Sequence, residues 1–207
     1  KSTGATTVFV AGLFGDKPLA TLALWRLAKR LCEEDKLHGR VVLCPAANPF
    51  ALDTGTRVSP DHLYLNRSFP GKSDGPLTGQ IALEVLQTVL NESDCVVDLH
   101  SGTPQMSLWY TYDYGNLELS SSFGFTPVIT GLAQPGQLSK AVVDAGGKSM
   151  LVEFGGGSLS DCEVGVNGCM NVLKYRGQLR GAISGPKKVP LIEGTDVSLY
   201  QPSTTGM

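Results

Sequence analysis

Residues 95–102 read Cys-Val-Val-Asp-Leu-His-Ser-Gly (CVVDLHSG), and this stretch decides the fold. Its apolar first half, with no polar interruption before Asp98, suits a strand buried on both faces rather than one with a wet side. Similar short runs occur at 6–11 (TTVFVA), 40–45 (RVVLCP), 107–111, 126–130 and 149–154. Between them, residues 18–34 place Leu19, Leu22, Ala23, Trp25, Leu27, Ala28 and Leu31 near a helical period, with Asp16 as N-cap and Pro18 in the first turn. Residues 78–91 (TGQIALEVLQTVLN) begin on a capping Thr78 and carry one wide apolar face. Weaker helices are expected at 137–145 and 164–179, the second interrupted by Gly168, with Asp161 and Glu163 as local caps. Strands alternating with helices predict an α/β fold: a mainly parallel or mixed twisted sheet with helices on both faces.

Bulk properties narrow the function. A chain of 207 residues is long enough for one domain with a real core. Seventeen Lys and Arg against 19 Asp and Glu leave a formal charge of −2, so no basic face offers itself to nucleic acid or an anionic membrane. No apolar run reaches a membrane span, and the first residues lack a signal-peptide pattern. Five cysteines, an odd number with no ribbon or CxxC spacing, read as free thiols in a reducing, cytoplasmic setting. The composition leaves homo-oligomer formation open.

Two stretches break the rhythm. Residues 46–77 form a connection of about 30 residues rich in Pro, Gly, Asn and Asp, a length that usually signals function. From 185 onward the composition changes again, so 1–184 reads as the α/β domain and 185–207 as the start of a β-rich segment that looks truncated.

Read in order, the motifs resemble a family. Asn48-Pro49, Arg57, Pro60, Leu65-Asn66-Arg67-Ser68-Phe69-Pro70-Gly71, Asp98-Leu99-His100-Ser101-Gly102 and Val152-Glu153-Phe154-Gly155-Gly156 look like the signatures of the succinylglutamate desuccinylase and aspartoacylase family. The resemblance covers roughly residues 5–180. It implies a zinc-carboxypeptidase-like fold with a smaller β-rich carboxy-terminal domain, and a zinc-dependent deacylase acting on N-acyl amino acids or similar small carboxylate-bearing amides. By that resemblance His100 matches a zinc ligand and Glu153 the catalytic carboxylate that takes a proton from the metal-bound water. Asn66 and Arg67 match the pair that holds the substrate carboxylate and polarises the scissile carbonyl, with Arg57 a looser match to a second substrate-binding arginine. Asp98, two residues before His100 on the same strand face, is placed to orient the imidazole.

The chain departs from the pattern where the metal should be held. The family's first metal motif is His-Gly-x-Glu, and here the aligned residues are Phe14, Gly15, Asp16 and Lys17. Phe14 has no donor atom, and the Lys17 ammonium would repel a dication. Tyr64 stands where the family has an acidic residue before Leu-Asn-Arg. Local readings compete with the catalytic ones: His100 as a hydrogen-bonded strand-end histidine, Glu153 as the ion-pair partner of Lys17, and Arg67 as a clamp on the long loop. His38 and His62 read as surface residues; a rearranged metal site from His62, His100 and Asp16 or Asp61 is the minor alternative. Gly155 to Gly157 lack a nucleotide fingerprint and read as a tight turn beside Glu153. Two functions therefore stand against each other: a zinc-dependent deacylase, and a catalytically silent homologue that keeps the pocket for a carboxylate ligand.

Overall fold

The structure, a computed structural model, describes residues 4–186 and 188–197. The expected strands form: β1 (Thr6–Val10), β2 (Arg40–Cys44), β3 (Cys95–His100), β4 (Leu108–Asp113), β5 (Val128–Thr130) and β6 (Lys148–Gly155). With β7 (Leu191–Glu193) they make one sheet in the order β2-β1-β3-β6-β4-β5-β7. Every pairing is parallel except β4 with β6. β7 extends the same sheet at its far edge, beside β5. Residues 198–207 of the tail expected to be β-rich lie outside the described residues.

The helices are α1 (Leu19–Cys32), α2 (Pro49–Thr54), α3 (Leu77–Glu92), α4 (Leu117–Ser121), α5 (Leu138–Asp144) and α6 (Leu159–Tyr175). One sheet face, with Phe9, Val97, Leu99, Met150, Val152 and Phe154, packs under α1 and α6. The opposite face, with Val8, Val10 and Val96, packs under α3 and α5. Because side chains alternate along a strand, Asp98, His100 and Glu153 belong to the α3/α5 face. This alternation puts the polar residues at the strand ends beneath the loop of residues 46–76.

Several local expectations are corrected. Pro18, not Asp16, precedes α1, and no side chain caps it; Asp16 is drawn instead to Arg57, Oδ2 to Nη1 at 3.5 Å. Thr78 does not cap α3. The helix starts one residue earlier, and its Thr78 N–H donates to Asp61 Oδ2 at 2.8 Å, so the cap comes from the long loop. α6 begins at Leu159 rather than 164, because Ser158 and Asp161 form a capping box. Asp161 thus caps as expected, while Glu163 pairs with Arg26 and Arg30 of α1.

Gly168 does not interrupt α6. A Cβ there would run into the ring of Phe123, and one at Gly165 into Phe154, so these glycines let the helix lie close against two buried aromatics. Gly168→Ala is therefore expected to destabilise the fold by about 1–3 kcal/mol despite alanine's better helix propensity, as read from the urea midpoint at constant slope.

Candidate functional site

Five segments meet at the carboxyl ends of the central strands. The Leu13–Lys17 turn after β1 is pinned through its backbone: Gly15 N–H donates to Thr56 O at 2.8 Å, Asn48 Nδ2 donates to Leu13 O at 3.4 Å, and a Cβ at Gly15 would collide with the Ala51 carbonyl. Asn48 also caps α2 by accepting from Ala51 N–H. The position of Phe14 and Lys17 is therefore set by main-chain packing, whatever side chains they carry. On the other side the parallel register sets His100 beside Glu153, and the antiparallel register sets Tyr110 beside Glu153.

These residues line a cavity of about 360 Å³ that contains every predicted site residue: Asn66, Arg67, Arg57, His100 and Glu153, together with Phe14 and Lys17. The floor holds two charge pairs. Lys17 Nζ lies 3.5 Å from Glu153 Oε1, both side chains being about nine-tenths buried or more. His100 Nε2 lies 3.0 Å from Asp98 Oδ1, yet neither Asp98 oxygen has an aligned hydrogen-bond partner among the described residues. The contact is electrostatic in character, and it places Asp98 where it orients the imidazole. Glu153 Oε2 is likewise buried and unpartnered among the described residues.

Burial and charge pull these groups in opposite directions. For His100, burial disfavours the imidazolium, but the negative charges of Asp98 and Glu153 outweigh it and hold its pKa above the ordinary value, with Lys17 opposing. For Glu153, burial raises the carboxyl pKa, and His100 and Lys17 only partly offset the rise. Burial first, and then the Glu153 charge, push the Tyr110 phenol upward, so it remains a neutral hydroxyl.

Asn66 Oδ1 accepts from Leu138 N–H at 2.9 Å, which ties Asn66 to the start of α5, and its Nδ2 lies 3.3 Å from His100 Nε2 at the strand end. Arg67 Nη1 donates to Asn66 O at 2.6 Å, and among the described residues the Arg67 guanidinium has no carboxylate partner. Arg67 lines the cavity beside Asn66. Arg57 lies over the ring of Phe14, its guanidinium carbon 4.5 Å from the centroid.

The sequence reading missed one wall. Tyr110 and Tyr112 of β4 stack with centroids 4.9 Å apart and line the cavity with Met106, Leu108, Gln134 and Gln137. The alternation in 109–112 (WYTY) was the available signal, since period two puts both tyrosines on one face.

The zinc implied by the resemblance does not fit this donor set. Phe14 sets a ring 5.4 Å from the His100 ring, and Lys17 sets an ammonium against the carboxylate. Among the described residues no three His, Cys, Asp or Glu side chains converge on a common point for an ion. The rearranged site is not assembled either: His62 is exposed, and Asp61 is engaged by Thr78.

Comparison with known proteins gives the family. Residues 3–164 match the model of the succinylglutamate desuccinylase/aspartoacylase catalytic domain. The chain is 32% identical to the N-alpha-acetyl-L-2,4-diaminobutyric acid deacetylase of Halomonas elongata, over 99% of this chain and 65% of that enzyme. Among solved structures, a succinylglutamate desuccinylase from Silicibacter sp. TM1040 superposes with a TM-score of 0.80 at 25% identity, covering 97% of this chain and 65% of that one. The product-bound ectoine utilization protein of Ruegeria pomeroyi gives 0.77 at 26% identity, over 92% and 62%. The chain thus spans a little under two thirds of the length of these relatives. The match of the family model over most of the chain and the likeness in sequence and fold agree: this chain belongs to the succinylglutamate desuccinylase/aspartoacylase family.

Proposed function

We propose that this chain uses the family's pocket to bind a small carboxylate-bearing molecule of the N-acyl amino acid type without hydrolysing it. The observation that carries this reading is the buried contact of Lys17 with Glu153 at 3.5 Å. A deacylase of this kind needs Glu153 as a base acting on an activated water, with Arg67 stabilising the oxyanion. Here one oxygen of Glu153 faces an ammonium, the other is buried, and the residue at position 14 offers no ligand atom.

The binding half of the machinery is kept. Arg67 presents a planar fork with no acidic partner among the described residues, set by Asn66, and Arg57 stands nearby at the same cavity. An unpaired guanidinium lining a cavity is suited to a ligand carboxylate. The family's small acylated amino acids supply such a group, as the printed name of the Halomonas relative illustrates. The free cysteines among the described residues fit a reducing, cytoplasmic setting.

Calorimetric titration with N-acetylated amino acids, alongside a proton NMR assay for released acetate, tests the reading. Binding is expected, acetate release is not, with or without added zinc, and Arg67→Ala should weaken binding by about tenfold or more. Zinc-dependent acetate release by the unmodified protein would instead establish the alternative, an active deacylase with a rearranged metal site.

A further inference from the structure

Phe14 and Tyr64 are the two aromatic departures from the family pattern, and the fold brings them together. Their rings meet edge to face with centroids 6.5 Å apart. Arg57 lies against both, its guanidinium carbon 4.5 Å from the Phe14 centroid and 5.9 Å from that of Tyr64. Asp16 Oδ2 holds one Arg57 nitrogen at 3.5 Å. A second cavity of about 200 Å³, lined by Phe14, Arg57, Tyr64 and Arg67, adjoins the main one and shares three of those residues with it.

A guanidinium lying on an aromatic face is held by the ring's quadrupole and keeps its in-plane N–H groups for other partners. Arg57 sits on a long loop, with a side chain nearly half exposed, so without such a support its conformational freedom would be large. We propose that Phe14 and Tyr64 are positioning residues that hold Arg57 at the pocket mouth as an outer anion subsite, letting the pocket distinguish ligands by a second negative group. The substitution that removes a metal ligand thereby supplies the platform for a specificity arginine. The inference rests on the reading of Arg67 as the site of the first carboxylate.

N-acetylglutamate and N-acetylglutamine, nearly equal in size and differing by one charge, are the probes. Titration of the unmodified protein should favour the dianion by about tenfold, the scale of one charged hydrogen-bonding partner. Phe14→Leu, which keeps apolar bulk and removes the π face, and Tyr64→Leu at an exposed position should each shrink the ratio by about threefold or more. Phe14→Tyr should restore it, which a purely packing role would not require. Equal binding of both probes by the unmodified protein, or an unchanged ratio in both leucine variants, overturns the positioning role and leaves the carboxylate-binding reading standing. Binding of neither probe overturns both.

Discussion

Phe14→His combined with Lys17→Glu is expected to convert the protein into one that retains about one zinc ion per chain after desalting, since three protein donors and one open position are what a catalytic zinc requires. The expectation follows from the backbone. The turn that carries positions 14 and 17 is pinned by Gly15, Asn48 and the Ala51 carbonyl, contacts that neither substitution touches. The ring at position 14 already lies 5.4 Å from the His100 ring, and Lys17 Nζ already reaches the Glu153 carboxylate. New donors would project into the same volume, between His100 and Glu153. Elemental analysis checks the outcome. A folded double variant that holds no zinc would show that more than two ligands has been lost, with Tyr64 the first residue to examine.

Lys17→Met alone should cost about 3–5 kcal/mol of stability near neutral pH, the scale for removing one partner of a buried ion pair. The methionine fills similar volume but strands the Glu153 carboxylate. The loss should depend on pH in a defined sense. Burial already holds the Glu153 pKa above its ordinary value, and removing the neighbouring cation removes one of the forces opposing that rise. A carboxyl whose folded pKa exceeds its unfolded one penalises the fold above the folded value and ceases to do so below the unfolded one, so the deficit should shrink as the solution is acidified. Lys17→Met with Glu153→Gln should recover much of the loss, because both charges leave together. Urea unfolding at two pH values decides it: a single variant within about 0.5 kcal/mol of the parent would mean that the pair contributes nothing.

The same physics explains what could be read in the sequence. Short apolar runs such as 95–97 and 8–11 suit buried strands, and the helical period of 18–34 is strong enough to survive a wrong cap. Caps were misjudged because they depend on tertiary partners. Asp16 faces Arg57, and the first turn of α3 is served by Asp61, 17 residues away. The early start of α6 was hidden by Gly155 to Gly157 just before it and by Gly168 within it, which marks the close approach of Phe123 rather than a break. The reversed direction of β4 could not be seen either, since alternation says nothing about orientation.

At the candidate site, Asn66, Arg67, Arg57, His100 and Glu153 were singled out because their motifs have order and spacing, and the fold brings all five to one cavity. The contact of Lys17 with Glu153 across 136 residues was anticipated from charge balance together with the place of Lys17 in the family's first metal motif. The tyrosine wall was not, because Tyr110 and Tyr112 have no partner motif and acquire their place only through the register of β4 on β6. The stacking of Arg57 on Phe14 was equally invisible, being a contact between two segments that only the folded loop joins.

On the proposed reading, Lys17 and Phe14 set an ammonium and an aromatic ring where the family would hold its metal. The most direct test of this reading is the zinc content of the unmodified protein after incubation with excess zinc and desalting, measured by elemental analysis. A value far below one ion per chain is predicted; about one tightly held ion per chain, displaced by a chelator and lost in His100→Ala, would contradict it.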